Sequence, residues 1–507
     1  MKLNNTSLAS VAVKDNLHLP PAGYNSLPER VLQFGTGVLL RGLPDYFIDR
    51  ANRKGVFNGR VVLVKSTASG GADAFTTQDN LYTIAERGIV NDNRIEQYWI
   101  NSVISRVLTA ATEWQAVLAC AENADMQIVI SNTTEVGIVL VKEKVLETVP
   151  QSFPGKLLAF LHRRYQHFNG AAEAGMVVVP TELLTDNGSR LQAIVLELAA
   201  YNGLGDEFIN WLQLHNFFCN TLVDRIVPGK PPAAEWELLC NQLGYTDELM
   251  ISAEPFNLWA VEATAARVKE ILSFESVNEG MVIAERIEKY RELKLRLLNG
   301  THTYSCGLAH LAGFDTVKEA LADDQFSAFV RRLMMVEIAE GVPQDLVSYN
   351  EACAYANTVL DRFRNPFLEH KWLSISMNFT SKMRMRNIPL IERYYQKHGE
   401  APACMALGFA AYILFMKCKE EQPGRFAGSR NGITYTIQDE SAPLFARYWQ
   451  HTDAAKIVNE VCHNQDLWGM DLTSLPGWEK LVTRQLELLL QEGAVAILRA
   501  EHVLQTN

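Results

Sequence analysis

Cysteine is scarce in this sequence and is nowhere arranged for redox or disulfide chemistry. The chain of 507 residues carries eight cysteines, and no two of them form a C-x-x-C pair. Sparse, unpaired cysteines are typical of reduced thiols packed inside a cytoplasmic protein. We therefore expect a cytoplasmic protein without a disulfide framework.

Long hydrophobic runs are absent as well. No window approaches the roughly 18 consecutive apolar residues of a membrane span. At the N-terminus, Lys14 and Asp15 interrupt the mild hydrophobicity that a signal peptide would need. The sequence therefore predicts neither a membrane partner nor export.

Positive charge is in deficit, since 47 lysines and arginines face 58 aspartates and glutamates and the net charge is −11. Binding to nucleic acid requires a basic surface, so we expect no nucleic-acid partner. The eleven histidines form no H-x-x-x-H pattern and no zinc-type cluster with cysteine, and we expect no metal. The composition is otherwise that of a globular protein, and nothing in it indicates an oligomeric state.

The N-terminal part of the chain has the pattern of an α/β domain. An apolar run at 30–34 is followed by a glycine turn at 35–37, by apolar residues at helical spacing and by a second apolar run at 61–64. Strand, turn, helix and strand in this order form one βαβ unit. Further buried strands are predicted at 127–131, 137–141 and 176–179, so the sheet should continue to about residue 180.

From about residue 287 the pattern changes to helices. Apolar residues recur at spacings of three and four through 293–311, 326–339, 404–418 and 481–498. We place the boundary near residue 285. It divides the chain into an α/β domain, 1–285, and a mostly α-helical domain, 286–507.

The first candidate site is the segment QFGTGVLLR at 33–41. Two glycines between a strand and a helix let the backbone approach a pyrophosphate, while the start of the helix supplies N–H donors. Leu40 stands where the usual fingerprint has a third glycine, and Lys65 ends the second strand just before the position where an acid would bind a ribose. A tight turn without a ligand is the alternative interpretation.

The second candidate is the segment KLRLLNGTH at 294–302. At about 100° per residue, Asn299 lies about 140° and His302 about 80° around a helix axis from Lys294, so the three polar groups share one broad face. A lysine can protonate or polarise a ketone oxygen, an asparagine can donate to the same oxygen, and a histidine can relay a proton. The alternative is a solvated lysine, a capping asparagine and a core histidine.

Two further segments carry polar residues near predicted strands. The loop SNTTEVG at 131–137 follows a strand, and ligands bind beyond the carboxyl ends of parallel strands, so Glu135 is placed to line or gate a site. Its alternative is an ordinary turn with an exposed glutamate. Asp224 and Arg225 stand between apolar residues, where a structural ion pair is at least as good an interpretation as catalysis.

Taken in order, these segments resemble the polyol-specific long-chain dehydrogenase family. The motifs are F-G-T-G-x-x-x-R at 34–41, Q-D-N-L-Y-T at 78–83, N-T-T-E-x-G at 132–137, V-D-R-I at 223–226 and K-x4-N-G-x-H at 294–302. The resemblance implies a Rossmann-type doubly wound domain followed by a mostly helical one, no metal, and hydride transfer between NAD and a sugar ketone with Lys294 as acid/base. It implies these cofactor-binding residues: Phe34, Gly35, Thr36, Gly37, Arg41, Lys65, Asn132, Thr133 and Asp224.

Within the family, the segments at 362–366, 376–382 and 430–439 are similar to the members that reduce a uronate ketose, D-tagaturonate, to D-altronate in hexuronate catabolism. The polyol members have C-D-N where this chain has T-E-L at 181–183, and an arginine where it has Ser374. Both differences argue against a neutral polyol as substrate. The alternatives are a fructuronate reductase, a mannitol 2-dehydrogenase, or a nucleotide-sensing protein without turnover.

A uronate carries a carboxylate, which a guanidinium is best suited to bind. The basic segment K-M-R-M-R at 382–386 follows shortly after Ser374. It belongs to the segment of the chain that lines the substrate site in the family. We therefore expect Lys382 in the site and Arg384 or Arg386 on the carboxylate; a basic helix surface is the alternative. The predicted substrate-binding residues are Glu135, Lys382, Arg384 and Arg386.

Overall fold

The structure is a computed structural model that describes residues 1–65, 72–133 and 137–500. The chain divides into two compact units. The first is Met1–Gly88 with Arg94–Ile287, and the second is Ile89–Asn93 with the chain from Glu288. The sequence places one boundary near residue 285 and does not anticipate that the short segment at 89–93 belongs to the second unit.

A six-stranded parallel sheet organises the first unit. Its strands, in chain order, are β1 Glu29–Phe34, β2 Arg60–Lys65, β3 Ile104–Thr109, β4 Ile128–Ser131, β5 Val177–Pro180 and β6 Phe217–Phe218. In space the order is β3-β2-β1-β4-β5-β6, and every neighbouring pair is parallel. This is the strand order of a doubly wound dinucleotide-binding fold, whose ligand crevice lies where the order reverses, between β1 and β4.

The strands are near-continuous runs of valine, isoleucine and leucine because both faces of the sheet are covered. Alternate residues of each strand enter different cores. Val31 and Ile128 belong to one cluster, whereas Leu32 and Val129 belong to the cluster on the opposite face. The prediction of a Rossmann-type α/β domain is therefore confirmed.

The extent of the sheet differs from the expectation. Residues 137–141 form no strand, and Val139, Leu140 and Val141 are exposed. Gly137 itself is packed against Thr133, since a Cβ on it would lie 2.1 Å from Thr133 Oγ1. The sheet also continues past residue 180 to β6, and the sequence patterns did not indicate β3.

The remaining elements of the first unit surround this sheet. Two smaller sheets contain Leu17–His18, Tyr82–Val90, Asn93–Asn101 and Ile251–Ala253 in one, and Thr221–Asp224, Leu258–Glu262 and Met281–Ala284 in the other. The α-helices are Asn5–Leu8, Val38–Gly42, Pro44–Arg53, Ala72–Thr77, Trp114–Ala119, Phe153–His167, Asn187–Tyr201, Asp206–His215, Ala233–Leu243 and Ala266–Ile271. Short 3-10 turns are Tyr24–Ser26, Cys120–Glu122, Ala172–Ala174 and Ser273–Val277.

The second unit is mostly helical, as predicted. Its α-helices are Glu288–Leu293, Thr301–Ala312, Val317–Ala322, Asp324–Arg332, Ala339–Gly341, Tyr349–Phe363, Trp372–Ile375, Phe379–Lys382, Ile388–His398, Ala403–Phe415, Ala442–Tyr448, Ala454–His463, Gln465–Trp468, Trp478–Gln491 and Ala494–Arg499. Three π-helical turns, Lys294–Gly300, Leu333–Ile338 and Met383–Asn387, and a 3-10 turn, Leu472–Ser474, interrupt or join them. An antiparallel sheet of Cys418–Gln422, Arg425–Arg430 and Ile433–Ile437 is an element that the sequence patterns did not indicate.

Two glycines set the distance between the central helices of this unit. A Cβ on Gly307 would lie 2.8 Å from the carbonyl oxygen of Ala411, and a Cβ on Gly408 would lie 2.8 Å from that of Tyr304. The helices Thr301–Ala312 and Ala403–Phe415 therefore touch backbone to backbone. In the part of the chain that the structure describes, no helix combines the length and apolarity needed to cross a bilayer.

We expect Gly307→Ala to lower the stability of the protein by roughly 1–3 kcal/mol, because the added methyl group overpacks a contact made by backbone atoms. Thermal unfolding followed by circular dichroism measures the effect. Gly37→Ala is the matched control, since a Cβ there meets no atom within 4 Å. Equal melting temperatures for the two variants would contradict the prediction.

Candidate active site

The glycine turn lies directly after β1, at the point where the strand order reverses. Gly35 has φ +127°, and a Cβ there would lie 2.8 Å from Leu40 Cδ1 and 3.2 Å from the carbonyl oxygen of Asn132. Gly37 precedes the Val38–Gly42 helix, which no side chain caps, and has open space around its Cα. The first glycine is thus required by the protein itself, whereas the second leaves the start of the helix accessible to a ligand.

Arg41 holds this turn from behind. Its Nε donates to the carbonyl oxygen of Thr36 at 3.3 Å and its Nη1 to that of Leu249 at 2.7 Å. The guanidinium is buried against the rings of Phe75 and Tyr82, and burial lowers its pKa. Both of these hydrogen bonds go to backbone carbonyls, so Arg41 holds the turn in its shape.

A buried polar cluster adjoins the same turn. Gln33 Nε2 lies 3.4 Å from Asp45 Oδ2, and the hydroxyl of Tyr82 lies 3.5 Å from the same oxygen. Gln33 Oε1 and Asp45 Oδ1 have no hydrogen-bond partner among the described residues. Burial raises the pKa of Asp45 to about 7, only partly offset by Gln33 and Arg41. The neutral form of Asp45 is therefore favoured below about pH 7.

The loop after β4 is held by Glu182, whose importance the sequence did not reveal. Glu182 Oε1 accepts from the backbone N–H and the hydroxyl of Thr133, both at 2.9 Å, and Oε2 accepts from Ser131 Oγ at 3.1 Å. Asn132 Nδ2 donates to Thr181 Oγ1 at 3.0 Å. Burial raises the pKa of Glu182, while these hydrogen bonds oppose the shift. Glu135 lies outside the described residues.

The other predicted cofactor residues stand at strand ends. Phe34 and Lys65 end the neighbouring strands β1 and β2, and Lys65 is half-buried. Asp224 is buried at the end of Thr221–Asp224. The next residue, Arg225, is a structural cation, since its Nη2 pairs with Glu86 Oε2 at 2.8 Å with almost no exposure.

The helix that carries Lys294, Asn299 and His302 is continuous from Glu288 to Ala312, but its segment Lys294–Gly300 is a π-helix. The prediction that all three residues follow α-helical spacing is therefore wrong for the first two. A π-helical turn widens the helix and is frequent at functional sites. Its backbone carbonyls accept hydrogen bonds from a neighbouring helix.

That neighbour contains a second π-helical turn, Met383–Asn387. Arg296 Nη1 donates to the carbonyl oxygens of Met385 and Arg386 at 2.8 and 2.7 Å. In return, Arg386 Nη1 donates to that of Asn299 at 3.5 Å and Asn387 Nδ2 to that of Gly300 at 3.3 Å. Each turn thus supplies donors to backbone carbonyls of the other.

His302 is the most unusual residue in this unit. Its ring stacks on Phe363 with centroids 4.2 Å apart and meets His370 edge-on at 5.0 Å. It is buried, and Nε2 has no hydrogen-bond partner among the described residues. Burial lowers the pKa of His302 far below its ordinary value, and His370, Arg362, Arg386 and Lys382 lower it further. A neutral imidazole with an unused nitrogen is held among cationic groups.

The structure separates the residues of the basic segment. Lys382 is half-buried, donates to the carbonyl oxygen of Ile375 at 2.9 Å, and has its pKa lowered by burial and by Arg386. Arg386 donates to Thr303 Oγ1 at 3.2 Å, and burial lowers its pKa to about 10. Arg384 is exposed and donates to the carbonyl oxygen of Asp466. The expectation for Arg384 is thus not supported, because two residues along a helix point away from each other.

Two residues that the sequence did not single out belong to this cluster, His370 and Arg362. Arg362 is buried at the end of the Tyr349–Phe363 helix, and His370 lies in the loop that follows. An isolated histidine in a loop leaves no periodic signal. Arg364, two residues after Arg362, instead pairs with Asp92 at 2.8 Å and Asp361 at 3.2 Å.

Two domain families match the two parts of the chain. Residues 29–272 match the Mannitol dehydrogenase Rossmann domain, and residues 286–490 match the Mannitol dehydrogenase C-terminal domain. The chain belongs to the mannitol dehydrogenase family. Its place in this family agrees with the sheet order of the first unit and with the helical second unit.

Curated relatives and solved structures are consistent with this membership. The chain is 38% identical to altronate oxidoreductase of Halalkalibacterium halodurans over 92% of each chain, and 36% identical to that of Bacillus subtilis over 89% of this chain and 91% of the relative. Mannitol 2-dehydrogenase of Pseudomonas fluorescens, solved with NAD and D-mannitol, has a TM-score of 0.67 at 24% identity over 100% of both chains. A D-sorbitol dehydrogenase has a TM-score of 0.78 at 19% identity, over 98% of this chain and 99% of that one.

The buried Asp45 makes stability depend on pH. Its pKa is about 7 in the folded state, well above the value of about 3.9 in an unfolded chain, so stability falls as pH rises from about 4 to 7. Asp45→Asn, which is always neutral, should therefore raise the melting temperature relative to the parent at pH 8 more than at pH 5. Asp125→Asn, at an exposed acid, is the control. The same difference at both pH values would refute a protonated Asp45.

Proposed function

We propose that this protein is an NAD-dependent oxidoreductase of the cytoplasm that reversibly reduces D-tagaturonate to D-altronate. The curated relatives named altronate oxidoreductase support the substrate. The observation that carries the proposal is the buried, unpartnered Nε2 of His302 near the cations Lys382 and Arg386, since this set of groups suits an anionic, oxygen-rich ligand. A neutral polyol offers such a cluster no charge to pair with.

The residues at the switch point fit a dinucleotide. The open space at Gly37 and the uncapped start of its helix suit a pyrophosphate, and the loop held by Glu182 presents Asn132 and Thr133 at the same edge of the sheet. Lys65 and Asp224 are further proposed contacts. NADH, when bound, supplies the hydride. We propose NAD(H) over NADP(H) from the family resemblance.

The reaction at the substrate is carried out by the helix that contains Lys294, Asn299 and His302. Lys294 gives a proton to the ketone oxygen as that oxygen gains negative charge, and takes the proton back in the reverse direction. Asn299 donates to the same oxygen, and its own backbone carbonyl is held by Thr303 Oγ1 at 2.8 Å. His302 orients the substrate through Nε2. Donors fixed in this way stabilise charge where it develops.

The carboxylate of the substrate is bound by Arg386, with Lys382 beside it. Arg386 stands next to the helix of Asn299 and Thr303, and a half-buried guanidinium there can form two hydrogen bonds with a carboxylate. A fructuronate reductase would use the same charge, whereas a mannitol-type enzyme would not. A nucleotide-sensing protein would need none of Lys294, Asn299 and His302.

One assay separates these functions. The oxidation of NADH and of NADPH is followed with D-tagaturonate, D-fructuronate and D-fructose offered separately. We expect the highest kcat/KM with tagaturonate and NADH. A higher kcat/KM with fructuronate or fructose would refute tagaturonate as the substrate. Equal kcat/KM with NADPH would refute the cofactor preference. No turnover with any pair would favour a sensing protein.

Lys294→Ala should lower kcat by roughly 10²- to 10⁴-fold, the usual contribution of general acid/base catalysis. NADH binding, measured by its fluorescence, should stay almost unchanged. Lys289→Ala removes the same charge five residues earlier and should retain kcat. A Lys294→Ala enzyme with the parent kcat across pH would overturn the assignment.

Arg386→Ala should lower kcat/KM for tagaturonate roughly 30-fold or more, because it leaves a buried carboxylate unpaired. Arg384→Ala removes an identical side chain two residues away that contacts Asp466, and should retain the parent value. Fructose, which has no carboxylate, should be a poor substrate for all three enzymes. If only Arg384→Ala impairs the enzyme, the carboxylate is bound on the other face of the helix.

A further inference from the structure

The short helix Phe379–Lys382 is anchored to two residues at the end of the antiparallel sheet. The backbone N–H of Asn378 donates to the carbonyl oxygen of Gln438 at 2.8 Å. The backbone N–H of Thr380 donates to Asp439 Oδ2 at 2.7 Å, and its hydroxyl lies 2.8 Å from Oδ1. Asn378 itself has φ +54°, a left-handed conformation that asparagine adopts more readily than most residues. Lys382 stands at the far end of this anchored turn.

We propose that Asp439 is a positioning residue for the reduction of the sugar acid: it fixes the turn that carries Lys382 and provides the carboxylate that balances the charge of Lys382. The proposal rests on the proposed function, in which Lys382 lies beside the substrate carboxylate. Asp439 itself touches neither substrate nor cofactor in this scheme. It acts through Thr380 and Lys382.

The hydrogen bonds of Asp439 suit a fixed anion. Oδ1 also accepts from the backbone N–H of Ser441 at 2.8 Å, so the two oxygens serve three donors. Thr380 Oγ1 is in turn 2.7 Å from the hydroxyl of Tyr412, which is buried in the core. These hydrogen bonds fix the orientation of the Asp439 carboxylate at the turn that carries Lys382.

The charges around Lys382 are strongly unbalanced. Burial and Arg386 lower its pKa, whereas Cys306 and Asp439 raise it. His302 and His370 also face it. Cys306 is buried and burial raises its own pKa, so its thiol carries no charge near neutral pH. Among these groups, the Asp439 carboxylate favours the protonated form of Lys382.

The same sheet also braces the helix of the proposed catalytic residues. Arg430 Nη1 donates to the carbonyl oxygen of His310 at 2.8 Å, near the end of Thr301–Ala312. The ring of Tyr435 packs edge-on against His310, and its hydroxyl donates to the carbonyl oxygen of Phe415 at 2.7 Å. One sheet thus holds both the helix of His302 and the turn of Lys382. This gives a physical role to the sequence segment at 430–439, which the proposed chemistry itself does not use.

The test compares the parent enzyme with Asp439→Asn over a range of pH. Asparagine is nearly isosteric, but its amide nitrogen cannot accept a hydrogen bond from Thr380 and it carries no charge. We expect KM for tagaturonate to rise roughly tenfold with a smaller change in kcat, because a hydrogen bond to a charged group is lost outside the reacting centre. We also expect the alkaline limb of kcat/KM to move to lower pH, because Lys382 loses the anion that favours its protonated form.

Thr380→Val is the matched variant. It removes the Thr380 hydroxyl that donates to Asp439 Oδ1 but keeps the carboxylate of Asp439. It should raise KM while leaving the alkaline limb in place. Asp439→Glu retains the negative charge and should retain the position of the alkaline limb of kcat/KM as well. If Asp439→Asn does not fold, this variant tests the effect of the charge on Lys382. NADH binding should be unchanged in every variant.

The outcomes are distinct. If the parent enzyme does not reduce tagaturonate, the proposed function fails. If it does, and Asp439→Asn has the parent KM and pH profile, the positioning role is refuted. A variant with a lower melting temperature, an unchanged KM for tagaturonate and an unmoved alkaline limb would also refute it, because Asp439 would then be needed for the fold alone.

Discussion

The geometry of the second unit depends on the exchange of hydrogen bonds between two π-helical turns. A π-helical turn replaces the regular i to i−4 ladder and leaves backbone carbonyls available to outside donors. Arg296 supplies donors to Met385 and Arg386, and Arg386 and Asn387 supply them to Asn299 and Gly300. Together the two turns set the angular positions of Asn299 and His302 on one helix and of Lys382 and Arg386 on the other.

The first unit depends on a comparable constraint at the end of β1. Gly35 is enclosed by Leu40 and by the loop after β4, so a side chain does not fit at this position. Arg41 and Glu182 then tie the two loops at the switch point to buried parts of the same unit. Both side chains are buried and hydrogen-bonded, which offsets part of the cost of removing them from water. The result is a rigid edge of a sheet with accessible backbone at Gly37.

Several parts of this architecture could be predicted from local patterns. Continuous runs such as 61–64 and 176–179 predict strands covered on both faces, because few other environments bury every residue of a short segment. The run at 137–141 is similarly apolar but forms no strand, and Val139, Leu140 and Val141 are exposed. Composition reports that a segment is apolar. It does not report whether a neighbouring strand has a free edge to pair with.

The sequence by itself determined the class of fold, the family, the glycine turn and the candidate residues Lys294, Asn299 and His302, because these follow from periodicity and from motifs of fixed spacing. Only the tertiary structure decided which of Arg384 and Arg386 stands beside Asn299, since a helix must first be packed before its faces differ. It also decided the roles of His370, Glu182 and Asp439, whose partners lie 49 to 68 residues away in the sequence. Such contacts leave no local pattern, because they are made by the packing of distant elements and by the hydrogen bonds that burial then requires.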